Sequence, residues 1–159
     1  MPKRKAATRP GDASLRLLVD SGGWIALRSR RDQHHADADR LFQAAIVAGI
    51  PLLTTNLVLA EVHRLTLHRA GIQAALRLLD RVDASTHCKV AIATAADHAA
   101  ARAWLDRLAP HPVTYTDAVS FAVMRRAGIG QVLGFDEDFV LAGFKLWNGI
   151  AKAGPNRPA

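Results

Sequence analysis

The sequence predicts an α/β fold, a three-layer α/β/α sandwich with a short central parallel sheet. Apolar runs of four to six residues alternate along the chain with longer segments whose apolar residues recur at helical spacing. The runs show little alternation of polar and apolar residues, which is typical of parallel strands buried on both faces. The helical segments between them supply the crossover connections that a parallel sheet requires.

The apolar runs are predicted to form the strands of this sheet. In chain order they cover residues 15–20, 51–54, 89–93, 131–135 and, at the edge of the sheet, 144–147. Each run has the length of an ordinary strand and is shorter than the helices of globular proteins, which average about eleven residues.

The segments between the runs are predicted to be helical. They cover residues 24–30, 35–48, 56–69, 72–82, 95–108, 116–127 and a short helical turn at 137–141. Gly49, Gly71 and Gly128 follow the second, third and sixth helices, and glycine is the residue that most often ends a helix. Asn56 is the predicted N-cap of the third helix.

The chain of 159 residues is long enough for one domain with a hydrophobic core. Residues 1–13 combine Lys, Arg, Pro and Gly without apolar periodicity and are predicted to be a disordered basic arm. The folded domain is expected to cover residues 14–148, and residues 149–159 are expected to be a flexible tail.

Composition limits the compartment and the partners. No apolar run reaches the roughly 18 residues of a membrane helix, and the basic start lacks the apolar stretch of a secretory signal. The single cysteine, Cys88, cannot form an internal disulfide, so we expect a cytoplasmic protein without membrane association. The net charge of +7 favours nucleic acid as a partner, although charge alone fits a basic protein with no such ligand.

Three acidic residues are expected at the carboxyl edge of the sheet, where α/β folds bind their ligands. Asp20 closes the first predicted strand, and Asp136 closes the fourth. Asp117 stands in the first turn of a helix, and helices that follow parallel strands begin at that same edge.

A fourth acid, Glu61, lies in the middle of the third predicted helix. Leu57 and Leu65 stand one turn before and one turn after it, on an apolar helix face. A carboxylate buried there needs a compensating charge, which a metal ion or the nearby Arg64 would supply.

Each acid taken alone also has a structural explanation. Asp20 is placed to cap a helix, Asp136 fits an acidic turn, and Thr114 with Asp117 matches a capping box in outline. Taken together they favour a metal site, because converging carboxylates repel one another unless a cation lies between them. Oxygen ligands of this kind prefer Mg²⁺, with Mn²⁺ as a substitute, and such a site in a basic protein indicates phosphodiester hydrolysis.

Four segments carry a family resemblance in the right order. They read LVDSGGWIAL at 18–27, TTNLVLAEV at 54–62, TDAVSFAVM at 116–124 and GFDEDF at 134–139. Over residues 15–147 the chain resembles the PIN-domain family, in particular its VapC-type toxins of type II toxin–antitoxin systems. The resemblance implies a magnesium-dependent endoribonuclease with a PIN-like fold.

The resemblance also assigns roles to individual residues. Asp20 and Asp117 would be the principal metal ligands, and Glu61 and Asp136 would complete the acidic cluster. Asp138 is the alternative to Asp136 as the fourth acid. Two hydroxyl residues beside these acids, Ser21 and Thr116, would orient them from outside the metal's own ligand shell.

The implied partners are an RNA substrate, a second copy of the chain in a homodimer, and a cognate VapB-like antitoxin that covers the site. Two other functions remain open at this point. One is a non-catalytic PIN-fold module that binds RNA or is regulated by a partner. The other is a phosphate-accepting signalling domain, which would need a lysine near the acids, whereas Lys89 and Lys145 stand elsewhere along the chain.

Overall fold

The computed structural model of the protein describes residues 15–150. The predicted basic arm, 1–13, and residues 151–159 of the predicted tail lie outside this part. The described strands are β1 (Leu17–Val19), β2 (Leu52–Thr55), β3 (Cys88–Ala91), β4 (Gln131–Leu133) and β5 (Lys145–Leu146). The helices are α1 (Ser21–Arg28), α2 (His35–Val47), α3 (Asn56–Ala70), α4 (Ile72–Asp83), α5 (Ala95–Leu108), α6 (Tyr115–Ala127) and α7 (Asp138–Leu141).

The five strands form one sheet in the order β3-β2-β1-β4-β5, and every pair is parallel. Alternate side chains of β1 face opposite layers. Leu17 and Val19 pack with residues of α2, while Leu18 packs with residues of α5 and α6. Helices α1 to α4 therefore cover one face and α5 to α7 the other, which confirms the predicted three-layer sandwich.

The order of the strands reverses direction between β1 and β4. From β1 the chain builds outward through β2 to β3, and it then crosses to the other side of β1 to form β4 and β5. In open α/β sheets such a reversal leaves a crevice outside the carboxyl ends of the two central strands, because their connections leave in opposite directions. Any side chain that follows β1 or β4 is thus delivered to this crevice.

Helix α1 begins at Ser21, three residues earlier than predicted, so Gly22 and Gly23 lie inside the helix. The reason for Gly23 is close packing. A Cβ at this position would lie only 2.6 Å from the carbonyl oxygen of Leu133, so a larger residue would push the helix away from β4.

The predicted N-cap of α3 was wrong by one residue. Thr55 is the N-cap, with an extended backbone and a side-chain oxygen that accepts a hydrogen bond from the Val58 amide at 3.1 Å. Asn56 is the first helical residue, and its side-chain oxygen accepts from the Ala93 amide at 2.9 Å. The Asn56 amide group therefore fastens the start of α3 to the end of β3 and does not cap its own helix.

Candidate active site

Asp20 directly follows β1 and is almost fully buried, with 2% of its surface exposed. Its backbone amide donates to the Leu133 carbonyl oxygen at 3.2 Å, which continues the pairing of β1 with β4. Asp20 holds the N-cap position of α1, yet its carboxylate makes no capping hydrogen bond. A helix-capping role therefore does not explain this side chain.

Asp117 reaches the same edge from the first turn of α6 and is 5% exposed. Thr114 is the N-cap, and its hydroxyl oxygen accepts from the Asp117 amide at 3.1 Å. The same hydroxyl lies 2.6 Å from the Asp117 Oδ2 atom, to which it donates. The carboxylate does not bond back to the Thr114 amide, so only half of the suspected capping box forms and the acid remains turned towards the sheet edge.

Asp136 follows β4 after Gly134 and Phe135 and is exposed. Its Oδ1 atom accepts from the Asp138 amide at 2.9 Å, which fixes the carboxylate in a turn. Gly134 lets this segment lie against Asp20, because a Cβ there would stand 3.1 Å from the Asp20 Cβ.

These three acids converge. One carboxylate oxygen from each of Asp20, Asp117 and Asp136 lies within 4.8 Å of the other two. Within residues 15–150, no other group of three His, Cys, Asp or Glu side chains comes together in this way. Asp138, the alternative fourth acid, is outside the trio.

Glu61 also stands outside this trio. It is half-exposed, so the apolar face of α3 buries it less than the sequence suggested. Its negative charge nevertheless acts on both Asp20 and Asp117, which places it beside the cluster. Arg64, the alternative partner, forms no ion pair with Glu61 in the described part of the chain.

Burial and mutual repulsion raise the pKa values of the two buried acids. The pKa of Asp20 rises to about 7, chiefly because burial penalises the charged form and then because Asp117, Asp136 and Glu61 are negative. The amide of Ser21 opposes this shift. The pKa of Asp117 rises to about 6 through burial and through the charges of Asp136, Glu61 and Asp138, against the hydrogen bond from Thr114.

The cluster fits a hard divalent cation. Asp20 Oδ1 is buried and has no hydrogen-bond partner among the described residues, which is costly for a carboxylate oxygen unless an ion occupies its open side. No Lys, Arg or His pairs with any of the three acids in residues 15–150. An all-carboxylate donor set suits the preference of Mg²⁺ and Mn²⁺ for oxygen ligands.

The hydroxyl that contacts the Asp117 carboxylate is that of Thr114, a residue for which the sequence suggested only a capping role. The predicted orienting residues were Ser21 and Thr116, but the side chain bonded to the Asp117 carboxylate is that of Thr114. Ser21 acts on Asp20 through its backbone amide, and Thr116 lines a shallow surface pocket together with Glu61. The Thr-x-x-Asp spacing was the available signal for Thr114.

No helix in the described part of the chain has the length and apolarity needed to cross a membrane.

Comparison with known proteins agrees with this geometry. The PIN domain family model matches residues 17–145, so the chain belongs to the PIN-domain family, as its motifs predicted. The fold and the acidic cluster at the carboxyl edge of the sheet thus define this protein as a PIN-domain protein.

Among individual proteins, the chain is similar to the 23S rRNA-specific endonuclease VapC20 of two Mycobacterium tuberculosis strains, CDC 1551 / Oshkosh and ATCC 25618 / H37Rv. It is 36% identical to each over 128 residues, which cover 80% of this chain and 95% of the relative. A crystal structure of M. tuberculosis VapC20, described as a sarcin–ricin loop cleaving toxin, superposes with a TM-score of 0.71 at 35% identity. That match covers 80% of this chain and 95% of the VapC20 chain. The expected likeness to VapC-type toxins is therefore confirmed.

Proposed function

We propose that this protein is a magnesium-dependent endoribonuclease that acts as the toxin of a toxin–antitoxin pair. The observation that carries the proposal is the convergence of Asp20, Asp117 and Asp136 where the strand order reverses. Two of these acids are buried and have no cationic partner within residues 15–150, which is an unfavourable arrangement for a purely structural role.

Asp20 and Asp117 would be the principal ligands, because both are buried and held by their own elements. Asp136 would complete the set from the end of β4. Glu61 would add negative charge from α3 beside the trio, and Mn²⁺ would be able to replace Mg²⁺. The chemistry that such an ion supplies when bound is a lowered pKa of water and positive charge beside the scissile phosphate.

The chain's own contribution is positioning. Thr114 holds the Asp117 carboxylate through its hydroxyl, and the Asp138 amide holds that of Asp136. Asp20 is fixed because its backbone amide is bonded to β4. The carboxylates of Asp117 and Asp136, held in this way, need little reorganisation on reaction, and such preorganisation is the main way a protein lowers the barrier of phosphoryl chemistry.

The proposed substrate is ribosomal RNA, and the sarcin–ricin loop is the first target to test because the VapC20 relative is described as cleaving it. The proposal includes two protein partners, both supported by the likeness to VapC-type toxins. One is a second copy of the chain in a homodimer, and the other is a VapB-like antitoxin that covers the acids. A cytoplasmic location is supported by a lone cysteine, Cys88, which is buried.

The test is a cleavage assay with purified protein and ribosomal RNA. We expect discrete fragments with Mg²⁺, no cleavage with EDTA, and recovery when Mg²⁺ is restored in excess. Cleavage that persists in EDTA would contradict the metal site. RNA binding without fragments under any divalent ion would instead support the non-catalytic PIN-fold module.

A further inference from the structure

A second site lies between α1 and α3, away from the acids. An open cavity of about 440 Å³ is lined by the end of α1, the loop after it, α3 and the start of α4. Three of its lining residues are Arg28, Arg31 and Arg69, and we call it the arginine cavity. Ser29 and Thr66 add hydroxyl groups to its wall.

The positive charge of this cavity is not neutralised by the described part of the chain. Within residues 15–150, no carboxylate oxygen lies within 4.0 Å of the side-chain nitrogens of Arg28, Arg31 or Arg69. Burial lowers the pKa of Arg28, and the charges of Arg81 and Arg77 on α4 lower it further. Three arginines thus line one cavity, and the charges of two more act on Arg28, which favours an anionic ligand.

Two helices, α1 and α3, connect the arginine cavity to the region of the acidic cluster. On α1, Ser21, Ile25 and Arg28 follow one another at helical spacing and share one side. On α3, Glu61, Leu65 and Arg69 follow one another at intervals of four residues and also share one side. Both sides therefore begin at the acids and end in the cavity, and eight residues of α1 span about 12 Å, the length of a few nucleotides.

We propose that the arginine cavity binds a backbone phosphate of the RNA strand, a few nucleotides away from the bond that is cleaved at the acidic cluster. This inference rests on the proposed ribonuclease function. Guanidinium groups match phosphate oxygens in pairs, and the neighbouring hydroxyls donate to the same oxygens. The alignment with the acids favours the substrate strand, because a strand that is cut at the acids continues away from them on both sides of the scissile bond. An acidic antitoxin segment that covers the acids is the competing occupant, and the binding experiment tests for it.

The experiment measures RNA affinity without cleavage. A fluorescently labelled sarcin–ricin hairpin RNA is titrated in EDTA at several KCl concentrations with the wild type and with Arg31→Ala/Arg69→Ala. For a single strand, log K falls with log salt by a slope of about −0.7 for each phosphate that the protein neutralises. We therefore expect the slope of the double variant to be less steep by about 1.4, with affinity reduced at least tenfold at low salt.

The control is Arg40→Ala/Arg102→Ala, which removes the same charge from surfaces outside the cavity. Its slope should stay close to that of the wild type. Equal losses in both double variants would overturn the proposal, since net charge alone would then explain binding. Thermal melting of each variant verifies the fold, and Arg31→Lys/Arg69→Lys should restore most of the slope.

Two further outcomes are informative. Unchanged RNA affinity of Arg31→Ala/Arg69→Ala, together with loss of binding to a polyglutamate peptide, would overturn the proposal and assign the cavity to an acidic protein segment. Failure of the ribonuclease function itself appears separately, as absence of Mg²⁺-dependent cleavage by the wild type, because the binding experiment contains no divalent ion.

Discussion

Helices α5 and α6 both begin with a Thr-x-x-Asp motif, but the aspartates of the two motifs have different surroundings. Thr94 caps α5 and Thr114 caps α6, and each threonine accepts from the amide of the aspartate three residues later, at 3.2 and 3.1 Å. Both aspartates are buried, Asp97 at 2% and Asp117 at 5% exposure. From the local sequence alone the two sites are equivalent.

Their carboxylates have different partners. Asp97 completes a capping box and accepts two hydrogen bonds from Arg126, both at 2.9 Å, and this arginine holds the pKa of Asp97 below its usual range. Asp117 receives one side-chain hydrogen bond, from Thr114, and otherwise faces carboxylates that help to raise its pKa. A buried acid paired with arginine stabilises the fold, whereas one left among other acids is available to bind a cation.

The largest contrast is expected in catalysis. Asp117→Asn should lower kcat/KM for RNA cleavage by about 10³-fold or more, the scale on which enzymes lose activity when one member of a catalytic set is removed. Asp97→Asn should retain activity per folded molecule within about threefold, since Asp97 is not among the converging acids and its charge is paired with Arg126. Initial rates under Mg²⁺, corrected for folded fraction by circular dichroism, decide between them. Similar rates for the two variants would contradict the assignment of a catalytic role to Asp117 and a structural role to Asp97.

The contrast should reverse for stability. Asp97→Ala leaves the Thr94 cap but removes the carboxylate half of the capping box and an ion pair whose carboxylate is buried, so the free energy of unfolding should fall by about 3 kcal/mol. Asp117→Asn in the metal-free protein at pH 8 should be neutral or stabilising, because it removes a buried, repelled charge. Urea unfolding in EDTA measures both values. Destabilisation of similar size at the two positions would mean that Asp117 is structural.

The pH dependence of stability should differ in sign between the sites. Asp20 and Asp117 have raised pKa values in the folded protein, about 7 and about 6, so they bind protons more tightly when folded. In EDTA their contribution is fully present below the unfolded pKa of about 3.9 and is lost as pH rises to 7, by about 3 kcal/mol for Asp117.

Asp97, with a lowered pKa, contributes above the unfolded value and loses its contribution as pH falls through its folded pKa. Melting curves of the wild type, Asp117→Asn and Asp97→Asn from pH 3 to 8 separate the two trends. A wild-type curve parallel to that of Asp117→Asn between pH 4 and 7 would disagree with the raised pKa.

The smallest contrast concerns the capping threonines. Thr114→Val removes the hydroxyl that orients the Asp117 carboxylate, so activity should fall about tenfold or more, the usual scale for residues that support a metal ligand. Thr94→Val removes an equivalent cap and should cost about 1 kcal/mol of stability with activity retained. Rates for Thr114→Val that equal those for Thr94→Val would limit Thr114 to a capping role.

The positions of the acids could be predicted because they depend on the order of strands and helices. Asp20 and Asp136 follow strands, and parallel strands end at one edge. Asp117 is different, because α6 follows α5 and not a strand, so the motif around residue 117 and not the strand order indicated its place at this edge. None of this requires knowledge of side-chain contacts.

What the sequence could not predict depends on contacts between distant elements. Nothing local distinguishes Asp97 from Asp117, because Arg126 lies 29 residues away on another helix. The distance from Glu61 to the three acids is set by the packing of α3, which the local sequence does not reveal, and this packing leaves Glu61 outside the trio. The arginine cavity likewise draws its lining from separate segments, whose charges meet only in the folded chain.

The proposed function depends above all on Asp20, Asp117 and Asp136 holding one divalent ion. A crystal soaked in MnCl₂ and measured for anomalous scattering tests this directly. We expect an anomalous peak about 2.2 Å from oxygens of Asp20 and Asp117, absent from a similarly soaked Asp117→Asn crystal. A wild-type crystal that cleaves RNA when dissolved but shows no peak among these carboxylates, or shows it elsewhere, would refute the three-acid metal site.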